Sequence, residues 1–325
     1  MDKVRVGLVG LGGMGNGHYL AYKNITDMEL VSICDIRINE LKNKITDSEV
    51  HLYDDLTKML DNEKLDVIDI VTPSYLHADM VIECLNKGLN VLCEKPMTLT
   101  VEDCDRIKNT LKKTNKKFMT AHVVRFMEPY VFLKKEIEEK KLGKVLKGEF
   151  KRISSIPTWS YQDWMRNEKL SGGVGLDLSI HDIDFVQSVF GMPLKTNSIY
   201  RHLKNNSTYI ISSLIYEDAL ITCEGTWYNA DIPFMAEFLV VFENGYIMCR
   251  DGKLIKNNQE IDLTKQNKTS DIGINISCDN AYEKEIRYFI DCVKNNKDVD
   301  FITVDSSSTS VELTRKLINE AIIID

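Results

Sequence analysis

The sequence predicts an α/β protein of two domains, and three observations carry that expectation. Its 325 residues exceed what one small core organises. Roughly the first third alternates short apolar strands with helical stretches, the signature of a doubly wound parallel sheet. Past Gly143, strand-like runs follow one another with turn residues between them, which reads as a mostly antiparallel sheet.

The first strand is VRVGLV, residues 4–9, running straight into Gly10-Leu11-Gly12-Gly13-Met14-Gly15. A GxGxxG between a strand and a helix allows a tight turn, a close approach to a pyrophosphate and tight helix–strand packing. A second strand, ELVSICD, ends in Asp35, twenty residues after Gly15. An acidic side chain there accepts ribose hydroxyls and repels a 2′-phosphate, which favours NAD over NADP; Ile36 lies beside it, and Arg37 leaves NADP open. The competing reading is a glycine turn followed by a solvated aspartate.

Helical DDLTKML leads to strand VIDIVT (67–72), helix ADMVIECLNKG and strand NVLCE (90–94). Thr100-Val101-Glu102-Asp103 forms a capping box for the next helix, and KFMTAH (117–122) is a further strand. Ligands on such sheets bind beyond the carboxyl ends of the strands. Three polar clusters occupy those ends: Thr72, Pro73, Ser74 and His77; Glu94-Lys95-Pro96; and His122 to Arg125. Pro96 bars Lys95 from the helical region, so the strand ends in extended or turn geometry. A lysine there either polarises a carbonyl or stabilises an alkoxide, or simply faces solvent. His122 either faces cofactor or substrate or is structural.

GKVLKGEFKRI opens the second half as a strand. The loop SIPTWSYQDWMRNEK brings Trp159, Tyr161, Trp164 and Arg166, which suit either a sugar site or an aromatic cover over a core. GGVGLDLSIHDID (172–184) follows, with Asp177 and His181 four apart and so on one helical face. Its glycines are expected to let the chain pass close to a ligand before the helix starts. Asp182 and Asp184 gain no role. Strand runs TYIISSLIY, ALITCEGTWYN and FLVVFENGYIMCR come next, with Glu243-Asn244-Gly245 as a hairpin signal, and two helical stretches close the chain.

Composition narrows the class. Apolar residues make up 43% and charged residues 28%, and the longest apolar runs are too short to span a bilayer. A net charge of −8 argues against nucleic acid. The N-terminus enters a strand at once, leaving no room for a signal peptide. Eight scattered cysteines, none in a CxxC pair, fit buried thiols in a reducing cytoplasm.

Together these segments resemble the Gfo/Idh/MocA family of NAD(P)-dependent oxidoreductases. "VGLVGLGGMG", "TPSYLHADMVIECLNKGLNVLCEKPMTLT", "RFMEPY" and "WMRNEKLSGGVGLDLSIHDIDF" carry the resemblance, which covers nearly the whole chain. It implies a Rossmann domain followed by an α/β domain on a large, open, mostly antiparallel sheet. On that basis we divide the chain into residues 1–122, which bind the dinucleotide, and 123–325, which bind substrate and oligomerise. It also implies that Lys95, Asp177 and His181 match the family's catalytic Lys/Asp/His set. Cofactor contacts are expected from Gly10, Gly12, Gly13, Met14, Gly15, Asp35, Ile36, Thr72, Pro73, Ser74, His77, Glu94, Lys95, Arg125, Trp164 and Arg166. Substrate contacts are expected from Lys95, His122, Trp159, Tyr161, Asp177 and His181. Members act mainly on sugars, inositols and related polyols, as homodimers or homotetramers packed through the open sheet. Val123 and Val124 stand where polar or basic residues are frequent in the family, so inositol specificity does not carry over.

The chemistry of the set agrees. Oxidising a secondary alcohol requires a base for the hydroxyl proton while hydride leaves the same carbon. His181 is the natural proton acceptor, Asp177 orients it or binds a neighbouring hydroxyl, and Lys95 stabilises the alkoxide. Other readings are a redox-assisted glycoside hydrolase or lyase with tightly held NAD, and a silent NAD-binding regulator, which the presence of both Lys95 and His181 disfavours. His181 with Asp177 and Asp184 as metal ligands lacks any further His or Cys cluster, so no metal is expected.

Overall fold

Six short strands set the first half of the fold; five are mostly apolar and buried, as strands covered on both faces require, and the third, His51–Tyr53, is a largely exposed edge. The computed structural model describes residues 3–262 and 281–323. By compactness the chain forms two units: Met1–Val123 with Tyr282–Ser308, and Val124–Ala281 with Thr309–Asp325.

In the first unit β1 (Val4–Val9), α1 (Gly13–Tyr22), β2 (Met28–Cys34), α2 (Ile38–Leu41), β3 (His51–Tyr53), α3 (Leu56–Asn62), β4 (Val67–Ile70), α4 (His77–Asn86), β5 (Asn90–Glu94), α5 (Val101–Thr114) and β6 (Phe118–Ala121) alternate along the chain. The strands pair in parallel in the order β3-β2-β1-β4-β5-β6. That order reverses direction at β1, so the carboxyl ends of β1 and β4 flank the switch point where such sheets bind dinucleotides. Side chains fix the helix starts: Asp55 accepts from the Lys58 amide, and Thr100 accepts from the Asp103 amide as the capping box predicts.

In the second unit α6 (Glu128–Glu139) precedes β7 (Val145–Ser155), then come α7 (Glu168–Ser171) and α8 (Ile180–Phe190). Strands β8 (Lys195–His202), β9 (Thr208–Ile215), β10 (Leu220–Tyr228), β11 (Met235–Phe242), β12 (Gly245–Arg250), β13 (Lys253–Lys256) and β14 (Gln259–Ile261) follow. With β15 (Ile322–Ile323) they build a nine-stranded sheet ordered β14-β13-β12-β11-β7-β10-β9-β8-β15. Only the β7–β10 and β8–β15 pairs are parallel. The sheet is the predicted open, mostly antiparallel one. Phe242 pairs with Gly245, so Glu243-Asn244 is the two-residue hairpin turn. One face carries Phe150, Ile210, Leu214, Ile221, Phe238 and Val240, all buried, while Ile211 and Leu220 on the other face are exposed.

Helices α9 (Ala281–Lys294) and α10 (Val304–Asn319) complete the chain. Most of α9 packs in the first unit, a return of the chain that its sequence does not announce. No described helix is long and apolar enough to cross a membrane. Seven described cysteines are free and buried; Cys278 lies outside the described residues.

Candidate active site

The glycine turn of the first unit has the form a dinucleotide needs. Gly10 takes φ +95°, and a Cβ there would stand 2.5 Å from the Val71 carbonyl oxygen. A Cβ on Gly15 would stand 2.0 Å from the Gly10 carbonyl oxygen, so that glycine lets α1 close on the turn. Gly12 is different: within 4 Å its Cβ position meets no protein atom. This open side, at the start of a ten-residue helix, is the cradle a pyrophosphate would fill. Gly13 is exposed and Met14 half-buried beside it.

Asp35 directly follows β2, next to this turn. Its carboxylate accepts from the Leu11 amide at 2.7 Å and from the Arg37 amide at 2.8 Å, so it is fixed against the glycine loop. The Arg37 guanidinium lies 3.9 Å from the same carboxylate, and Ile36 is exposed. The residues present fit an adenosine dinucleotide: an open amide-rich turn and, one strand over, a preset acceptor pair for ribose hydroxyls.

At the ends of β4 and β5 a buried network holds the lysine segment. His77 is spent within the protein: its ring nitrogens stand 2.8 Å from the Pro96 carbonyl and 2.9 Å from the Thr72 carbonyl. Burial, outweighing both carbonyls, pushes its pKa below the usual imidazole value, so the neutral ring donates to one of them at a time. This brace links the two strand ends that carry Thr72-Pro73-Ser74 and Glu94-Lys95-Pro96. Thr72 donates to the Met80 sulfur at 3.6 Å, Ser74 is buried, and the Lys95–Pro96 peptide is cis. The Lys95 side chain is half-buried and its amide donates to Glu94 Oε2 at 2.9 Å.

Behind Glu94 lie residues that sequence reasoning passed over. His18 Nδ1 is 2.8 Å from Asp69 Oδ2 and His18 Nε2 is 3.2 Å from Glu94 Oε1, while the Tyr22 hydroxyl donates to Asp69 Oδ2 at 2.7 Å. His18, Asp69 and Glu94 are buried. The available signal was Asp69 itself, a charge inside the apolar strand VIDI, which demands a buried partner. His122, at the end of β6, is also buried, and its amide donates to Thr120 O at 2.9 Å.

In the second unit GGVGLDLSIHDID is helical from Gly173 on, after Gly172 ends α7, with a π turn over Gly175–Ser179 that continues as α8. Asp177 is buried in the π turn, and His181, one turn later, is half-buried near the start of α8. The glycines are closely packed: a Cβ on Gly172 would meet Leu176, one on Gly173 the Tyr200 hydroxyl, and one on Gly175 the Ile318 side chain. Asp182 and Asp184, given no role from sequence, anchor the segment. Arg152 donates to Asp182 from Nε at 3.1 Å and from a terminal nitrogen at 2.9 Å, and Tyr130 adds a hydroxyl at 2.9 Å. Arg125 donates to Asp184 twice, at 2.8 and 2.7 Å, so the guanidinium expected at the cofactor forms a buried ion pair inside its own unit. Trp159 and Tyr161 are exposed and Trp164 half-buried, while Arg166 pairs with Asp163 at 2.8 Å on the surface. Among the described residues no group of three or more His, Cys, Asp or Glu could hold a metal ion.

Comparisons with known proteins bear on both units. Residues 4–122 match the model of an oxidoreductase family, its NAD-binding Rossmann fold, and residues 134–218 match that family's C-terminal alpha/beta domain. A myo-inositol 2-dehydrogenase of Thermotoga maritima is 31% identical over 192 residues, 58% of this chain and 55% of that protein. A 2,7-anhydro-N-acetylneuraminate hydratase of Mediterraneibacter gnavus is 30% identical over 191 residues, 59% of this chain and 50% of that protein. The matches thus span about half the length of these curated relatives. The structure of a myo-inositol 2-dehydrogenase from Lactobacillus plantarum superposes with a TM-score of 0.81 at 22% identity, over 98% of this chain and 97% of that one, a likeness of fold.

Proposed function

The chain belongs to the Gfo/Idh/MocA oxidoreductase family, and from that premise we propose that it is an NAD-dependent dehydrogenase acting on a secondary alcohol of an inositol, sugar or related polyol. The observation that carries the reading is the glycine turn with its open Gly12 side and the amide-held Asp35 carboxylate beside it. When bound there, the nicotinamide cofactor accepts the hydride that leaves the alcohol carbon. Asp35 favours NAD: its carboxylate draws the Arg37 charge to itself and would repel a 2′-phosphate.

His181 takes the hydroxyl proton and returns it in the reverse direction. Asp177, one turn earlier, orients that imidazole or binds a neighbouring hydroxyl. Lys95 hydrogen-bonds the reacting oxygen and stabilises it as negative charge develops. Trp159, Tyr161 and His122 supply substrate contacts. Ile211, Ile215, Leu220, Leu239 and Val241 share the open face of the second sheet, and we assign to that face a homodimer or homotetramer contact. Seven free, buried cysteines fit a reducing cytoplasm.

The test is a panel of inositols, sugars and polyols with NAD and with NADP, following reduced nicotinamide. Reduction with NAD is expected. His181→Ala and Lys95→Ala should each lower kcat by about 100-fold or more while NAD binding survives. Near-normal rates in both variants would sink the role assignment. The similarity to a hydratase favours one second reading, a redox-neutral addition or cleavage with NAD retained. It predicts NAD that co-purifies and no net reduced nicotinamide with any alcohol.

A further inference from the structure

His18 is buried between two carboxylates, a setting that costs stability unless charge and hydrogen bonds are complete. Asp69 and Glu94 approach its two ring nitrogens from adjacent strands. Asp69 pairs with Leu92, so Glu94, two residues on, points to the same side of the sheet, the side α1 covers. A neutral imidazole would turn a lone pair toward one of these anionic oxygens, whereas an imidazolium donates to both. Two more donors reach the acids, the Tyr22 hydroxyl at Asp69 Oδ2 and the Lys95 amide at Glu94 Oε2, while the buried Asp69 Oδ1 accepts no hydrogen bond.

We infer that His18, as a buried cation, is a positioning residue for Lys95: it keeps Glu94 ionised and turned onto the Lys95 amide, and so sets the strand end from which the lysine acts. This rests on the reading of Lys95 as the residue that stabilises the alkoxide. The brace is two-sided, since His77 holds the Pro96 carbonyl on the far side of the same lysine. The groups around His18 agree in sign. Desolvation works against the His18 cation, yet the charge and hydrogen bonds of Asp69, then those of Glu94, carry its pKa well above the ordinary imidazole value. Burial works against the Glu94 anion, and the His18 hydrogen bond and charge, aided by Lys95, hold its pKa below the usual range. Helix α9 brings the Tyr282 ring to 5.7 Å from the imidazole. It also brings the buried Glu285, whose charge joins burial and Asp69 in pushing the Tyr22 hydroxyl up, so Tyr22 remains a neutral donor.

The protein without ligands supplies the first test, by NMR. Between about pH 5.5 and 8.5 the His18 imidazole should keep both ring protons, and the Lys95 amide should show no titration. In His18→Gln the Lys95 amide should titrate inside that window, because Glu94, having lost its cation, takes up a proton. Turnover of the polyol should fall about tenfold or more with KM within about twofold, and the acidic limb of the kcat profile should move to higher pH. A side chain that only fills space would leave the Lys95 amide and the pH profile where they are. Should His18→Gln fail to fold, Glu94→Gln keeps the cavity filled and should bring the His18 titration down toward the window. An imidazole that loses a proton below about pH 7 in the wild type, or an unchanged Lys95 amide in His18→Gln, overturns the inference. If the wild type turns over no alcohol, the dehydrogenase reading fails, and the Lys95 amide still decides the role of His18.

Discussion

Both units bury charge, but in two chemically different ways. In the first, one histidine is shared by two carboxylates, Asp69 and Glu94. In the second, two buried aspartates each have their own arginine: Arg152 on Asp182 and Arg125 on Asp184, both through two hydrogen bonds. A guanidinium keeps its charge at any pH a protein survives and its fork fixes geometry, so the second arrangement is a permanent anchor. An imidazolium exists only because its neighbours hold the proton. The first cluster therefore sets its own protonation, and it sits directly behind the segment that carries Lys95. The second fixes the helical segment that carries Asp177 and His181, the pair we propose for proton transfer.

Removing an arginine should have the largest effect. Arg152→Met leaves Asp182 buried with the Tyr130 hydroxyl but without its cation, and a buried charge stripped of its partner costs about 3–5 kcal/mol. Equilibrium urea unfolding measures it. A loss under about 1 kcal/mol would mean that Asp182 had taken up a proton at little cost, and the pair would then not be an anchor.

The next effect separates the two clusters by pH. His18 has a folded pKa raised well above its unfolded value, so its contribution is fully present below about pH 6.5 and is lost as pH rises through the folded pKa. Glu94 is depressed, so its contribution is present above about pH 4.5 and is lost as pH falls through its folded pKa. The stability cost of His18→Gln should accordingly shrink above pH 6.5 by up to about 1.4 kcal/mol per pH unit. The cost of Arg152→Met should not shrink over the same range, since arginine does not titrate there and a proton taken up by the orphaned Asp182 would only make the cost grow as pH rises. Parallel curves for the two variants would erase the distinction.

How much of this was legible beforehand differs between the units for the same physical reason. Five strands of the first sheet were readable almost to the residue, since VRVGLV and NVLCE are strands by local pattern and Asp35 lies at a set spacing from the glycines, but β3, three largely exposed residues with no apolar run, was missed. The hairpin at Glu243-Asn244 was equally local. Buried ion pairs are not local. Arg152 and Asp182 are 30 residues apart, Arg125 and Asp184 are 59 apart, and His18 and Glu94 are 76 apart. Hence the protein partners of Arg125 and His77, two residues expected at the cofactor, were not legible either. The close approach of Leu176 to Gly172 and of Tyr200 to Gly173 is likewise not revealed by the segment alone.

The smallest effect refines the account of the arginine anchors. Ser310 donates to Asp184 Oδ1 at 2.7 Å, the oxygen that also accepts from Arg125. Ser310→Ala removes that donor while the two Arg125 hydrogen bonds remain, so the carboxylate stays ionised and partnered. The expected loss is about 1 kcal/mol, the usual net worth of one hydrogen bond, read from the urea midpoint at unchanged slope. It should be the same at pH 6 and pH 8 (about the range of ordinary assays), because neither a serine hydroxyl nor an arginine changes its charge between them. A loss near 3 kcal/mol or more would show the arginine fork to be insufficient alone, making the anchor a three-part network in which the serine completes the acceptor shell of Asp184.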